Sequence, residues 1–288
     1  MIYEGVVYRP PSEARSLIIQ ATIGCSHNKC KFCTMYKGKK FRIKKRQEIV
    51  DDLIEMHNYY KDVRRIFIAD GDALIMKMDD LKYILIKINE LYKNVDRIGI
   101  YASPKSIMTK SVEELKELKS LNLKIAYLGV ESGDDEVLEL MDKGVNSQQM
   151  LSAALRIKES GIKLSTMILS GLGGKDLYKN HALNSAKLIS KIKPDYLSLL
   201  TLLVEEDSDL NNMIEQNEFK LLTPKEVLDE TQIFLENLEL EDTLFRSNHA
   251  SNYVNLQGVL NEDKARLLEE ISIALTENFY KEELFRRL

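Results

Sequence analysis

No stretch of this sequence is apolar for long enough to cross a bilayer. Its longest apolar runs, such as Tyr196 to Val204, fall far short of the ~20 residues that a spanning helix requires. The opening segment, MIYEGVVYRPP, lacks the basic-then-apolar pattern of a secretory leader, so a soluble, cytoplasmic protein is expected. Five prolines and 13 glycines are too few for a collagenous or low-complexity chain. Tryptophan is absent, and three cysteines make a poor disulfide framework. Nor does one sign of charge prevail: 41 Lys and Arg stand against 45 Asp and Glu, a net charge of -4, and the overall field does not mark a nucleic-acid binder. What is there, 44% hydrophobic and 30% charged residues over 288 positions, is enough to bury a sizeable core in an enzyme-sized globular body.

All three cysteines, Cys25, Cys30 and Cys33, fall within one nine-residue window. Thiolates separated by short spacers are what a metal or iron-sulfur cluster needs, because one loop can then direct several sulfurs at a single centre. Three thiolates on a cluster of four irons leave one iron open to an exogenous ligand, whereas a structural zinc site is closed by a fourth residue. His27 is a fourth candidate, but its place between Cys25 and Cys30 makes tetrahedral ligation by all four cramped, and no second Cys-x-x-Cys pair exists. An open cluster, a zinc site and incidental thiols are the three readings these counts allow.

Along the chain, apolar β-rich runs alternate with longer amphipathic stretches. Strands are expected near Leu17 to Thr22, Arg65 to Ala69, Arg97 to Tyr101, Lys124 to Val130, Leu164 to Leu169 and Tyr196 to Leu200. A capping box, Ser111 with Glu114, opens a helix carrying Leu115 and Leu118 on one face, and further helices are expected over Gln148 to Glu159, Lys225 to Leu238 and Glu262 to Leu275. Such alternation gives right-handed βαβ units and a parallel sheet, open or curled into a barrel. After each strand comes a polar or glycine-rich loop: the cysteines, Asp70-Gly71-Asp72, Ser103-Pro104, Glu131-Ser132-Gly133 and Ser170 to Gly174. In parallel α/β folds those carboxyl ends share one rim, where ligands bind.

In this loop order, over roughly residues 15 to 205, the sequence resembles the radical S-adenosylmethionine (SAM) superfamily. Its usual cysteine spacing is three residues and then two, with an aromatic before the last cysteine. Phe32 and the two-residue spacer match, while Ser26 to Lys29 make the first spacer four residues long. The resemblance implies an α/β fold, a partial (β/α)6 TIM-like barrel over residues 1–222, with residues 223–288 as an α-rich C-terminal extension packed on it. It also implies a single 4Fe-4S cluster on Cys25, Cys30 and Cys33, whose open iron chelates the amino and carboxylate groups of SAM, and reductive cleavage of SAM to a 5'-deoxyadenosyl radical. Gly71 and Asp72 resemble the residues that hold the methionine amino group, although Glu is the family's more frequent choice at the second. Ser103 lies where a SAM contact often follows the third strand, and Glu131, within GVESG, matches the residue at the end of the fourth. Lys143 is placed like a base that pairs with the SAM carboxylate, and Gly171, within MILSGLGG, matches the motif beside adenine. The closest likeness is to the branch with oxygen-independent coproporphyrinogen oxidases, methylthiotransferases and Elongator-type enzymes.

Each position has a structural alternative. Glycines after strands are ordinary turn formers, Asp72 and Glu131 can be loop acids, Asp134 and Asp135 are better placed to cap the helix after Glu131, and Lys143 beside Gly144 is a common helix-end charge. With three cysteines there are no thiols for an auxiliary cluster, which argues against a methylthiotransferase, and no Asp-x-His-x-x-Gly segment marks cobalamin binding. The substrate, expected to be a small molecule, would meet FRSNHASN, with Arg246 as a carboxylate anchor and His249 as a proton donor or acceptor. A loop tying the extension to the barrel is the alternative there, and the acidic VEEDSD run reads as solvated face. From Lys29 to Arg46, nine of 18 residues are Lys or Arg. This stretch is expected to dock an acidic electron donor such as flavodoxin or ferredoxin. RNA, served by the same charges with Tyr36 and Phe41 among them, is the rival, and a solvated loop is the third reading. A tRNA-modifying member of the superfamily and a non-catalytic cysteine-metal module are the alternatives for function.

Overall fold

A computed structural model describes residues 3–286 of the chain. Its strands are β1 (Leu17–Gln20), β2 (Thr22–Ile23), β3 (Arg42–Ile43), β4 (Arg65–Ala69), β5 (Arg97–Ala102), β6 (Leu123–Glu131), β7 (Lys163–Ser170), β8 (Tyr196–Thr201), β9 (Thr243–Ser247) and β10 (Leu256–Leu260). Its helices are α1 (Arg46–Tyr59), α2 (Met78–Leu91), α3 (Pro104–Met108), α4 (Val112–Ser120), α5 (Asp135–Leu140), α6 (Ser147–Ser160), α7 (Gly174–Ile192), α8 (Asp209–Glu215), α9 (Pro224–Glu236) and α10 (Lys264–Glu277). Eight strands form one sheet in the order β1-β4-β5-β6-β7-β8-β9-β10, parallel from β1 through β6 and from β7 through β9, and antiparallel at β9–β10. This largely parallel sheet with intervening helices agrees with the expected partial barrel. The six expected strands are all present, except that the first divides: β2 leaves the sheet to pair with β3. The stretch expected as an α-rich extension also adds two strands, β9 and β10. The sequence FRSNHASN reads as a polar loop, yet residues 243–247 alternate buried and exposed along β9, the period of a strand.

The chain divides into two compact units, with β6 contributing to both. The first takes in the chain up to Asn28, Cys33–Leu128 and Ser152–Leu164. Its strand β4 is buried on both faces beyond Arg65, as a sheet covered on both sides requires. Ile66 and Ile68 point one way; Phe67 points the other and meets Tyr101 and Tyr127 edge to face, at 4.9 and 5.6 Å between ring centroids. Below them Glu13, fully buried, is paired with Arg97 at 2.7 Å and bonded by the hydroxyls of Tyr127 and Ser16, as a buried carboxylate must be. The Ser111–Glu114 capping box forms as the sequence indicates and starts α4, whose Leu115 and Leu118 are fully buried.

The second unit takes in Lys29–Phe32, Gly129–Leu151 and the chain from Ser165 onward. Here β7, β8 and β9 alternate strictly: Ile168, Leu199 and Phe245 are buried, while Met167, Ser198 and Arg246 are half-buried or exposed. Ile168 and Leu199 lie with His181 of α7 and Phe234 of α9 around one small cavity, so helices cover that face. The opposite face is open, and register aligns Met167, Ser198, Arg246 and Gln257 across it.

Candidate active site

The cysteine loop, whose residues 29–32 are grouped with the second unit, is closed at its base by β2 and β3, and residues 24–41 between them contain no helix or strand. Side chains hold it instead. Asp70, fully buried at the end of β4, accepts hydrogen bonds through Oδ2 from the Gly24 amide (3.2 Å), Gln20 Nε2 (3.2 Å) and Lys39 Nζ (3.0 Å), so one carboxylate grips both arms of the loop. Asp72, also fully buried, accepts from Ser26 Oγ, from Ser103 Oγ at 2.8 Å and from the Ser103 amide at 3.2 Å. The Asp72 carboxylate, matched in sequence to a methionine-amino contact, is thus engaged by the chain itself and links the cysteine loop to the cap of α3. Gly71 has a steric reason to be glycine: a Cβ there would lie 2.8 Å from the Tyr36 ring and 3.1 Å from Cys25 Cβ. Tyr36 is buried, and burial together with Asp70 pushes its hydroxyl pKa up, so it stays a neutral wall of the loop. Cys25, Cys30 and Cys33 are of intermediate exposure and form no disulfide among the described residues.

In the second unit, Phe32 packs against an apolar cluster of Val137, Met141, Leu172, Leu202, Leu210 and Phe219. Its segment is pinned there by backbone bonds from Lys31 to Met141 (3.1 Å) and from Leu210 to Lys31 (3.0 Å). Glu131 ends β6 with φ 65°, in the left-handed region, and is 5% exposed. Its Oε1 pairs with Lys143 Nζ at 3.2 Å, while Oε2 is buried with no hydrogen-bond partner. Lys143 is therefore paired with Glu131, as the helix-end alternative did not anticipate. Gly171 has φ 87°, and its amide donates to Glu230 Oε2 at 2.7 Å; the Ser170 hydroxyl donates to the same oxygen. Glu230 lies on α9, fully buried, and burial raises its pKa to about 8.

FRSNHASN separates into two roles. Asn252 is buried and joins the loop to β8, accepting from Thr201 Oγ1 at 3.0 Å and donating to the Leu199 carbonyl at 2.9 Å. His249 bonds within its own turn, to Ser251 Oγ at 3.0 Å, and burial followed by the nearby Lys281 lowers its pKa. Arg286 donates to the Ser251 and Leu202 carbonyls and stacks on Tyr253 at 4.1 Å. These contacts correspond to the tying-loop alternative. Arg246 differs: it is exposed on the open face of β9 and has no hydrogen-bond or ion-pair partner among the described residues. In the basic stretch, Lys39, Arg42, Lys44 and Arg46 are paired with Asp70, Glu4, Asp52 and Asp80, which neutralises much of the positive charge; Lys29, Lys40 and Lys45 remain exposed. Glu205, Glu206 and Asp207 are exposed, as the solvated reading of the acidic run expects. Asp70, His181 and Glu230 were not singled out by the sequence reading. Asp70 adjoins Gly71 in a loop already marked by position, but the other two act across long chain separations and have no local signal.

Residues 19–179, more than half the chain, match the family model described as the radical SAM superfamily. The chain belongs to that superfamily. Radical SAM proteins use a 4Fe-4S cluster and SAM. One relative is the heme chaperone HemW of Bacillus subtilis, 23% identical over 183 residues, which are 62% of this chain and 47% of that protein. Another, the tRNA uridine(34) acetyltransferase of Methanocaldococcus jannaschii, is 25% identical over 41% of this chain and 22% of its own. The chain thus spans about half the length of the first relative and less of the second. Among solved radical SAM structures, coproporphyrinogen III oxidase (HemN) of Escherichia coli superposes with a TM-score of 0.56 at 18% identity, over 77% of this chain and 54% of that one, a likeness of fold. Among the described residues no helix is long and apolar enough to cross a membrane.

The residues present fit the radical SAM cofactors in their chemistry. Three cysteines outside any disulfide, in one short loop, match the donor chemistry of a cluster with one ligand position over, and the orphaned Glu131 Oε2 offers a buried acceptor to a ligand N–H or O–H. Among the described residues no three His, Cys, Asp or Glu are grouped to hold a metal ion.

Proposed function

We propose that the protein is a radical SAM enzyme with one cluster, held by Cys25, Cys30 and Cys33, that abstracts hydrogen from a small-molecule substrate. The observation that carries this reading is the three-thiol loop anchored by two fully buried carboxylates, Asp70 and Asp72. A 4Fe-4S cluster held by Cys25, Cys30 and Cys33 would supply the single electron that reductive cleavage of SAM to methionine and a 5'-deoxyadenosyl radical requires.

The chain's part is to bind and orient. Asp70 and Asp72 hold the loop so that its sulfurs are presented from a fixed base, with Ser103 joined to it through Asp72. Glu131 accepts a hydrogen bond from SAM through its orphaned Oε2, and Lys143, paired with the other oxygen, keeps the carboxylate oriented. Gly171, whose amide is held by Glu230, forms the turn against which adenine lies. Arg246, unpaired on the open face of the second unit, anchors an anionic group of the substrate. His249, held neutral by burial, is the group available to take or give a proton beyond β9.

Lys29, Lys40 and Lys45 are the exposed charges left to meet an acidic electron donor; raising salt should slow reduction by such a carrier, and an unchanged rate would end that part of the reading. An RNA substrate is the second reading, supported by the tRNA uridine(34) acetyltransferase relative. Retention of tRNA by the holoprotein, lost on replacing these lysines, would favour it.

The test is made on anaerobically purified, cluster-reconstituted protein given SAM and a strong reductant, with 5'-deoxyadenosine quantified beside a variant carrying Cys25, Cys30 and Cys33→Ala. Cysteine-dependent 5'-deoxyadenosine is the expected result. A reducible cluster without cleavage would overturn the radical-generating assignment and favour a non-catalytic metal module, a reading kept in view by the relative named as a heme chaperone.

A further inference from the structure

Glu131 adopts a conformation that a residue with a side chain enters only under constraint, at φ 65°. The constraint comes from one face of α7. His181, Asn184 and Ser185 lie at helical positions i, i+3 and i+4 and therefore point the same way. Each bonds a successive residue of the turn that follows Glu131. Ser132 Oγ lies 2.8 Å from His181 Nδ1, with both residues fully buried. The Gly133 amide donates to Ser185 Oγ at 2.8 Å, and Asn184 Nδ2 donates to Asp134 Oδ2 at 2.6 Å. The turn is pressed flat on the helix: a Cβ on Gly133 would meet the Asn184 carbonyl and come within 2.6 Å of Ser185 Cα.

Burial lowers the His181 pKa to about 4, so the ring that meets the Ser132 hydroxyl is neutral. The Ser132 oxygen in turn accepts from the Asp134 amide at 3.0 Å, so the ring, the hydroxyl and the turn backbone form one connected chain of bonds behind Glu131.

We infer that His181, Asn184 and Ser185 are positioning residues that hold the Glu131 turn so that Glu131 Oε2 stays open to SAM. This inference rests on the SAM-binding role proposed for Glu131. Its mechanism is preorganisation: without the latch, the turn relaxes and the acceptor must be ordered at the moment of binding.

The test measures SAM affinity of anaerobic holoprotein by calorimetry, thermal stability, and hydrogen exchange of the segment 129–136. His181→Leu should weaken SAM binding roughly tenfold and Ser185→Ala several-fold, as expected when a buried bond to a positioning group is lost. His181→Asn, whose amide keeps both a donor and an acceptor near the Nδ1 position, should restore most of the affinity, and Lys187→Ala, exposed on the same helix, should leave it unchanged. Exchange at Ser132 to Asp134 should quicken in His181→Leu. In a Glu131→Ala background, His181→Leu should add little, because it acts through Glu131. Variants that melt earlier yet bind SAM like the wild type, or losses that simply add, would overturn the inference. If the wild-type holoprotein does not bind SAM, the SAM reading itself falls, and the exchange measurement alone decides whether α7 holds the turn.

Discussion

Replacing Glu230 by glutamine isolates one proton whose effect on stability has a worked sign. Glu230 is fully buried on α9; Ser170 and Gly171 donate to its Oε2, while Oε1 is buried without a partner. Burial is the larger influence and raises its pKa from 4.5 to about 8. The folded protein then holds this proton more tightly than the unfolded chain. Its stabilising effect is complete below pH 4.5 and is lost as pH climbs through about 8. His181 runs the other way: its pKa falls from 6.5 to about 4, so its contribution is complete above pH 6.5 and is lost as pH drops through about 4. Between pH 4.5 and 6.5 the two slopes oppose each other, and from 6.5 to 8 Glu230 acts alone. One proton gives at most ~1.4 kcal/mol per pH unit, so the loss over that upper window is about 2 kcal/mol, or roughly 4–8 °C in Tm. Thermal melts of wild type and Glu230→Gln from pH 5 to pH 9 should diverge, the wild type losing ground to the variant from pH 5 up to about pH 8, because His181 is common to both and cancels in the comparison. Parallel curves through that window would mean Glu230 is ionised in the folded protein and would refute the reasoning.

Other consequences can be read from single positions. Gly133→Ala forces a Cβ into the backbone of α7 and should cost about 1–3 kcal/mol by overpacking, whereas Gly38→Ala, with nothing within 4 Å, should leave the Tm unchanged; denaturant titration compares them. Asp70→Asn removes the charge that grips Gly24, Gln20 and Lys39 from a buried site, and should lower stability by about 3–5 kcal/mol, with faster proteolysis inside residues 24–41. Asp72→Ala should free Ser26 from Ser103 and lower the iron retained after reconstitution, read as iron per chain, while Asp209→Ala at the exposed start of α8 should not.

The strands, the capping box and the cysteine loop were legible because each is written in a short window. Period-two burial, a Ser three residues before a Glu, and thiols spaced along one loop are local patterns whose physics needs no distant partner. Position after a strand likewise marked Gly71, Asp72, Ser103, Glu131 and Gly171. Their exact partners were not marked. Nothing near Asp72 says that it binds Ser26, 46 residues earlier in the chain, and nothing near Glu230 says that it holds Gly171, 59 residues earlier. β9 was missed because its three buried positions, Thr243, Phe245 and Ser247, include two polar residues and alternate with exposed Leu244 and Arg246, and the alternation acquires meaning only beside β8.

By itself, the amino-acid sequence determined the order of strands and loops, the candidate donor set of a cluster and the superfamily, since these depend on side-chain type and spacing along the chain. Tertiary structure alone decided which carboxylates are spent on holding loops and which acceptor is left open. It sealed Asp70 and Asp72 onto the cysteine loop, pressed the Glu131 turn against α7 and left Glu131 Oε2 without a donor. A buried polar atom's role is set by which partners reach it once water is gone, and those partners come from residues that only folding brings together.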